Sequence, residues 1–512
     1  MKKLKEKLDN FWGISKLGSS FKVEIIAGIA TFLAMSYILI VNPNQILYAG
    51  SADPRWSSIF IATAFGAVIG TLLMSVYAKM PLAQASGMGL NSALGSIIGG
   101  CVGKYAYEYT YSLSNALLLV FISGVLFLLL SIVPIGKSKE TGQWITLREK
   151  IFDGMPYCIR KAIPVGIGLF IAFIGLQNAK IVGANEYTLL EFVDLTKVFS
   201  GSLTDTKGEL LPYTYAIVGL VSFISIAILA HFKIKGAVIF GILIATLVAI
   251  PLQVTNINIL LGNVEGSGIT WKFWENFASY FSEDGVFASL FKDGWDMPKG
   301  SIFTSIMLII TFAMIDMFDT MGTVVGCCAN AGLLDEHGKP INYNKIMVSD
   351  SIATVSGAIL GTSTVTTFVE SGTGVAAGGK TGFSSFITTI LFFLSIFLLP
   401  LFAFIPSAAA AGALMYVGVL MMSGVKDLDF NDIKKAAPSF LTILMMVLTY
   451  SITKGIGIGI ISYVIIQVIT YLVDLIRYAC KKLENKPTLE VSIVLWVVVV
   501  LFLVYFLVPT VF

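Results

Sequence analysis

Apolar runs of about 18 to 25 residues recur along almost the whole chain, parted by short polar or charged stretches. At helical rise that length crosses the hydrocarbon of a bilayer, so the pattern predicts spanning helices. Fourteen spans can be drawn, at roughly 23–41, 57–78, 82–100, 113–133, 160–178, 213–231, 236–253, 301–328, 346–362, 364–380, 383–405, 408–423, 436–453 and 456–476. A further apolar run, 488–511, follows Lys481-Lys482 and reads either as a fifteenth span or as a hairpin lying in the membrane.

One stretch breaks the pattern at membrane depth: residues 362–382, TSTVTTFVESGTGVAAGGKTG. Its first half, Thr364-Val365-Thr366-Thr367-Phe368-Val369, is β-branched and alternating, which suits an extended strand. Glu370 and the glycine-rich Ser371-Gly372-Thr373-Gly374 follow. Lipid tolerates extended backbone only where protein or a water-filled cavity satisfies its polar groups. A carboxylate there is a functional-site candidate. The expected element is half strand and half helix, lining a binding site.

Composition fits this picture. Of 512 residues, 56% are hydrophobic and 13% charged, which excludes a soluble domain of this size. The net charge of +3 says little about partners, and the basic residues lie at membrane edges, which argues against nucleic acid. The five cysteines, Cys101, Cys158, Cys327, Cys328 and Cys480, have neither metal spacing nor a pairing pattern and read as packing residues. The N-terminal MKKLKEKLDNFWG lacks an apolar core before a small-residue cleavage site, so it reads as a cytoplasmic amphipathic lead-in, not a signal peptide.

Loop charge gives an orientation. Lys2, Lys3, Lys5, Lys7, Lys16 and Lys22 place the N-terminus inside. Alternation then puts inside the loop with Lys137, Lys139, Arg148, Lys150, Arg160 and Lys161, and the one with His231, Lys233 and Lys235. The loop with Glu186, Glu191, Asp194, Asp205 and Glu209 falls outside, as does 254–300 with Glu283, Asp284, Asp293 and Asp296. The expected location is the plasma membrane, in a bacterium the inner one.

Internal matches point to a duplication. IATAFGAVIGT (61–71) resembles IATVSGAILGT (352–362), Ser86-Gly87-Met88-Gly89 resembles Ser371-Gly372-Thr373-Gly374, and Lys235-Gly236 resembles Lys454-Gly455. Each copy then holds seven spans. Seven is odd, so the copies are inverted relative to each other, as in secondary transporters. The repeat pairs 362–382 with 81–100, and two antiparallel strand stubs near the midplane are expected by symmetry.

Candidate chemistry is sparse. Asp316 and Asp319 in the eighth span are three apart and share a helix face. A carboxyl inside an apolar run can bind a proton and release it as its surroundings change, the chemistry of a proton-coupled site. Each could instead cap or brace a neighbouring helix. Glu370 suits a helix start, but its place in a broken segment favours function. Asn91 can donate and accept, or be an ordinary interhelical amide. Asp350 reads as a helix cap opening the ninth span. Lys380 reads as a solvated charge or a gate, and His231 and His337 as solvated loop residues. No phosphate loop, metal cluster, cofactor site or nucleophile triad is visible.

FDTMGT (318–323), the 361–382 stretch, SGMGLN (86–91) and EIIAGIATFLAMSYILIVNP (24–43) resemble the AzgA-like purine permeases, a branch of the nucleobase–ascorbate transporter superfamily. The resemblance covers most of the chain. It implies an all-α polytopic membrane protein of fourteen segments in seven-plus-seven inverted repeats, with short β-strands in broken segments three and ten. It implies a core domain of spans one to four and eight to eleven, and a gate domain of spans five to seven and twelve to fourteen. The chain would divide into a cytoplasmic amphipathic segment (1–22), core repeat one (23–133), gate repeat one (160–253), an extracellular loop (254–300), core repeat two (301–405), gate repeat two (406–476) and a basic linker with an extra hydrophobic segment (477–512).

The activity implied is proton symport of adenine, guanine or hypoxanthine, and the superfamily allows a homodimer. The family's substrate contacts map onto Asn91, onto Asp316 with Asp319 close by, and onto Glu370. Ser371, Phe368 and Gly89 complete the substrate set, and Phe368 or Phe318 would stack on the ring. Asp316, Asp319 and Glu370 are the proton-coupling candidates. Ser86 departs from the family, which often carries Pro there. Competing readings are a carrier of uracil, xanthine or an anion on the same fold, an ion channel, and a membrane enzyme. The chain shows no filter motif for a channel, and its two histidines, both in predicted loops, make a poor enzyme centre.

Overall fold

In a computed structural model, the structure describes residues 2–47, 53–99, 111–137, 144–185, 187, 189–200, 202–204, 210–234, 236–261, 269–334, 340–480, 487–489 and 491–507. Among them, nine helices are long and apolar enough to cross a membrane: Phe21–Ile46, Trp56–Ala78, Leu113–Ile132, Tyr157–Asn178, Pro212–His231, Ile302–Cys328, Gly382–Ala403, Ser407–Asp427 and Lys454–Ala479. This is a mostly helical, multi-pass membrane protein. Shorter or more polar helices, Ala237–Ala249, Tyr343–Leu360 and Ile433–Leu448, occupy three more of the predicted spans. The two broken segments occupy the rest. His337 and Cys101 lie outside the described residues. His231 is exposed at a helix end, and Cys480 is exposed where packing was expected.

Both broken segments contain a strand. Gln84–Ser86 pairs antiparallel with Val365–Thr367, with Gln84 opposite Thr367, Ala85 opposite Thr366 and Ser86 opposite Val365. The ladder is closed at its ends by Gly87 N–H to the Thr364 carbonyl (2.9 Å) and Phe368 N–H to the Ala83 carbonyl (3.0 Å). The outer edges are bonded to threonines from flanking helices. Thr71 Oγ1 accepts from Gln84 N–H and donates to the Gln84 carbonyl, both at 3.0 Å. Thr354 Oγ1 donates to the Val365 carbonyl at 3.2 Å. These partners supply part of the hydrogen bonding that lipid could not give to the ladder's outer edges. Glycines let the strands in: a Cβ on Gly70 would lie 2.8 Å from Val365 Cγ1, and one on Gly357 2.6 Å from Val365 Cγ2.

The register corrects one expectation. A local two-fold through Ala85 and Thr366 relates Ser86 to Thr367, four residues before the Ser371 that the sequence match pairs with it. The second copy carries Phe368, Val369 and Glu370 between strand and helix, where the first has only Gly87.

Helix packing falls into two sets. In one, Tyr343–Leu360 packs on Leu113–Ile132 and Trp56–Leu73, and Gly382–Ser395 packs on Phe21–Met35. In the other, Ser407–Met422 packs on Tyr157–Asn178 and Pro212–His231, and Ile433–Leu448 packs on Ile452–Ala479. The last apolar helix, Ile493–Leu507, packs against Leu147–Gly154 and Ile452–Ala479. Its 15 residues rise only about 22 Å, short of the roughly 30 Å of a hydrocarbon core. The N-terminal helix Lys2–Trp12 is docked: Trp12 Nε1 donates to the Ser75 carbonyl at 3.0 Å and its ring packs on Phe383.

Two charges sit elsewhere than expected. Asp350 does not open its helix, which starts at Tyr343 after the N-cap residue Asn342. Arg148 is no loop charge, because its side chain is 1% exposed and ion-pairs with Asp350 at 3.7 Å.

Candidate functional site

The Phe21–Ile46 span is interrupted at Ser36-Tyr37, between Phe21–Met35 and Ile38–Ile46. Both residues keep helical φ/ψ, and the Tyr37 phenol reaches the second broken segment, where its hydroxyl donates to Glu370 Oε1 at 2.6 Å. Glu370 occupies the N-cap position of Ser371–Ala376, yet its side chain caps nothing. Glu370 thus stands at a helix start, as its dipole preference allows, but its side-chain hydrogen bond goes to Tyr37.

Glu370 borders a cavity of 30 Å³ where the two helix sets meet. One wall is Met88 and Gly89 at the start of Met88–Gly99, Asp319 and Thr323 of Ile302–Ala331, and Thr367 to Glu370. The other is Ile167 and Ile171 of Tyr157–Asn178 with Val417 and Met421 of Ser407–Met422. One wall thus carries two carboxylates, two threonine hydroxyls and a helix N-terminus, and the other is wholly aliphatic. The predicted residues Glu370, Asp319, Phe368 and Gly89 all line the cavity.

Asp316, Asn91 and Ser371 do not line it; they stand behind it. Asp316 is fully buried, and its Oδ2, 3.0 Å from Thr354 Oγ1, shares the single Thr354 hydroxyl hydrogen with the strand carbonyl of Val365. Asn91 Oδ1 accepts from Ser363 Oγ, and its Nδ2 reaches the Ser86 carbonyl at 3.4 Å. The Asn91 amide thus joins the two broken segments. Ser371 Oγ accepts from Ala83 N–H at 3.0 Å, a further tie between them. The Phe318 side chain lies outside the described residues.

A second polar layer braces the carboxylate helix. Asp350 Oδ1 accepts from Gln84 Nε2 at 2.8 Å and from Thr320 Oγ1 at 2.9 Å. Arg148 lies over the Phe127 ring at 3.7 Å and donates to Ser131 Oγ at 3.3 Å. Gln84, Thr320 and Arg148 were not singled out from sequence. At the other end of the broken segment Glu24, also unflagged, accepts from Lys380 N–H at 3.0 Å and Thr381 N–H at 3.4 Å. Among the described residues no cluster of His, Cys, Asp and Glu could hold a metal ion.

The family model for Xan_ur_permease, described as a permease family, matches residues 22–458. The chain belongs to this family. The permease is AzgA-like and is a transporter, not an enzyme. It is 33% identical over 463 residues to the adenine permease AdeQ of Escherichia coli K12, covering 90% of this chain and 91% of that one. It is 34% identical over 475 residues to the guanine/hypoxanthine permease PbuG of Bacillus subtilis, covering 90% and 94%. Its fold resembles the transmembrane domain of the cyanobacterial bicarbonate transporter BicA, with a TM-score of 0.56 at 15% identity over 86% of this chain and 97% of that one.

Proposed function

We propose that this permease imports a purine nucleobase, adenine, guanine or hypoxanthine, across the plasma membrane by proton symport, with its N-terminus in the cytoplasm. In this reading the chain forms seven-plus-seven inverted spans. The set holding the strand pair is the core domain, and the set holding Ile167 and Val417 is the gate domain.

The observation that carries the reading is the asymmetry of the cavity, with Asp319 and Glu370 on one wall and only aliphatic side chains on the other. A purine has ring N–H donors and N or O acceptors in one plane. Carboxylates accept from the donors, backbone amides serve the acceptors, and Phe368 offers a ring face. Aliphatic gate residues cover the other face of the base without competing for its hydrogen bonds. The names of the similar permeases point to the same substrate class.

At 30 Å³ the cavity is far below the roughly 300 Å³ of a ligand pocket. Purine therefore enters only when core and gate slide apart, which is the motion of alternating access. A proton on Asp316, Asp319 or Glu370 offsets the cost of burying charge during that movement. Asp316, Asn91 and Ser371 act from behind the cavity by holding the two broken segments in place.

Uptake of radiolabelled hypoxanthine in a transport-deficient cell tests this. Adenine and guanine are expected to compete and a protonophore to collapse accumulation. Competition by uracil or xanthine alone overturns the substrate reading. Collapse on sodium removal with no protonophore effect overturns the proton.

A further inference from the structure

We infer that the connector 269–297 is an interfacial anchor whose aromatic face lies in the headgroup region of the bilayer. From charge alone the loop 254–300 reads as a segment in water, but its described residues are built otherwise.

One side of the connector is latched to the helices that carry the strand pair. Tyr280 Oη donates to the Leu360 carbonyl at 2.8 Å, at the end of the helix that leads into the Val365 strand. Ala288 N–H donates to the Ile359 carbonyl at 2.8 Å. Asn115 Nδ2 donates to the carbonyls of Gly294 (2.9 Å) and Asp296 (3.0 Å). Gly361, at φ +94, admits Val286, which would lie 2.5 Å from a Cβ there.

The opposite side carries six large aromatics in the open: Trp271, Phe273, Trp274, Phe281, Phe291 and Trp295 are 44–67% exposed. The helix Phe273–Phe281 sorts its residues by face. Asn276 and Tyr280 are buried on the protein, Trp274 and Phe281 point away from it, and Glu275 lies on a separate polar edge. Glu275 pairs with Lys272 at 3.0 Å, and Glu283 and Asp284 are also exposed.

Exposed aromatics beside charged side chains are unfavourable in water and match the headgroup boundary, where an amphipathic ring is apolar on one side and wet on the other. The occupant is a lipid surface because the patch is continuous with one. Phe273 packs edge-on against Phe397 at 5.4 Å, and Phe397 packs against Phe393 at 5.8 Å. Phe393, Leu394 and Phe397 are exposed on the spanning helix Gly382–Ala403. The aromatic face thus extends a hydrocarbon-facing surface to its rim. The anchor is fastened to the strand-bearing helices, so any displacement of those helices must carry it along the interface.

The test is depth-resolved tryptophan quenching on the full chain in phosphatidylcholine vesicles, brominated either near the headgroup or near the chain end. Wild type is compared with Trp271→Phe, Trp274→Phe and Trp295→Phe, each checked by circular dichroism. The fluorescence lost in these variants should be quenched at least twofold more by shallow than by deep bromines, and only weakly by aqueous acrylamide. Efficient acrylamide quenching with no bromine effect places the face in water and overturns the inference. Protection from both quenchers, with cross-links between copies, makes it a protein interface and overturns it equally. Neither readout depends on what the permease carries.

Discussion

Tyr37 and Glu370, 333 residues apart, are joined by a hydrogen bond of 2.6 Å that ties the Phe21–Ile46 span to the broken segment at 362–382. A bond from a neutral donor to an ionised acceptor is worth about 1.5–3 kcal/mol. Tyr37→Phe removes the hydroxyl and keeps the ring. Purine uptake by this variant is expected to show a KM raised about tenfold or more at unchanged membrane abundance. An unchanged KM would show that the carboxylate reaches substrate without the phenol.

Asp319 and Asp316 lie on one helix, but only Asp319 reaches the cavity. Asp319→Asn is expected to cut uptake below about a tenth of wild type while the melting temperature of the purified permease stays put. Asp316→Asn should lower the melting temperature as well, because Asp316 shares Thr354 with the strand edge. Thermal unfolding in detergent alongside uptake separates the two. An equal KM rise in both variants, with neither destabilised, would put Asp316 in contact with substrate.

The break at 362–382 was legible because its signals are local: a β-branched run, a carboxylate and a glycine cluster inside apolar sequence. Glu370, Asp316 and Asp319 could be chosen for the same reason. What faces what could not. Three residues apart on a helix fixes a shared side, not which side chain reaches a cavity and which turns to Thr354. Tyr37 is one aromatic among many, and nothing in its local sequence sets it apart. Arg148 looked like one more positive loop charge, since nothing in a basic stretch says which residue folds inward. The strand register escaped as well, because a short Ser-Gly match outweighed the two extra residues before the second helix.

Arg148 and Asp350 form a buried ion pair whose side chains are 1% and 0% exposed. Removing one partner of such a pair costs about 3–5 kcal/mol, while replacing both with apolar groups is often neutral. Arg148→Met alone is expected to lower the melting temperature sharply and reduce expression. Arg148→Met combined with Asp350→Leu should recover much of the loss, though Gln84 and Thr320 then lose their acceptor. Melting temperatures of the wild type, both single variants and the double variant measure the coupling. Additive losses would mean that the pair does not stabilise the fold.

Gly357 is the other place where one atom decides. A Cβ there would sit 2.6 Å from Val365 Cγ2 and 2.9 Å from the Ser363 carbonyl, so an added methyl pushes on the strand itself. Overpacking of this kind costs about 1–3 kcal/mol. The displaced strand carries Thr367 and leads into Phe368 and Glu370, so uptake should suffer more than stability. Gly357→Ala is expected to lower Vmax several-fold with a modest drop in melting temperature. Val365→Ala in the same chain opens the space and should restore part of the rate. Without that rescue, the Ser363 carbonyl is the obstacle, and the strand is positioned by its backbone, not by the packing of Val365.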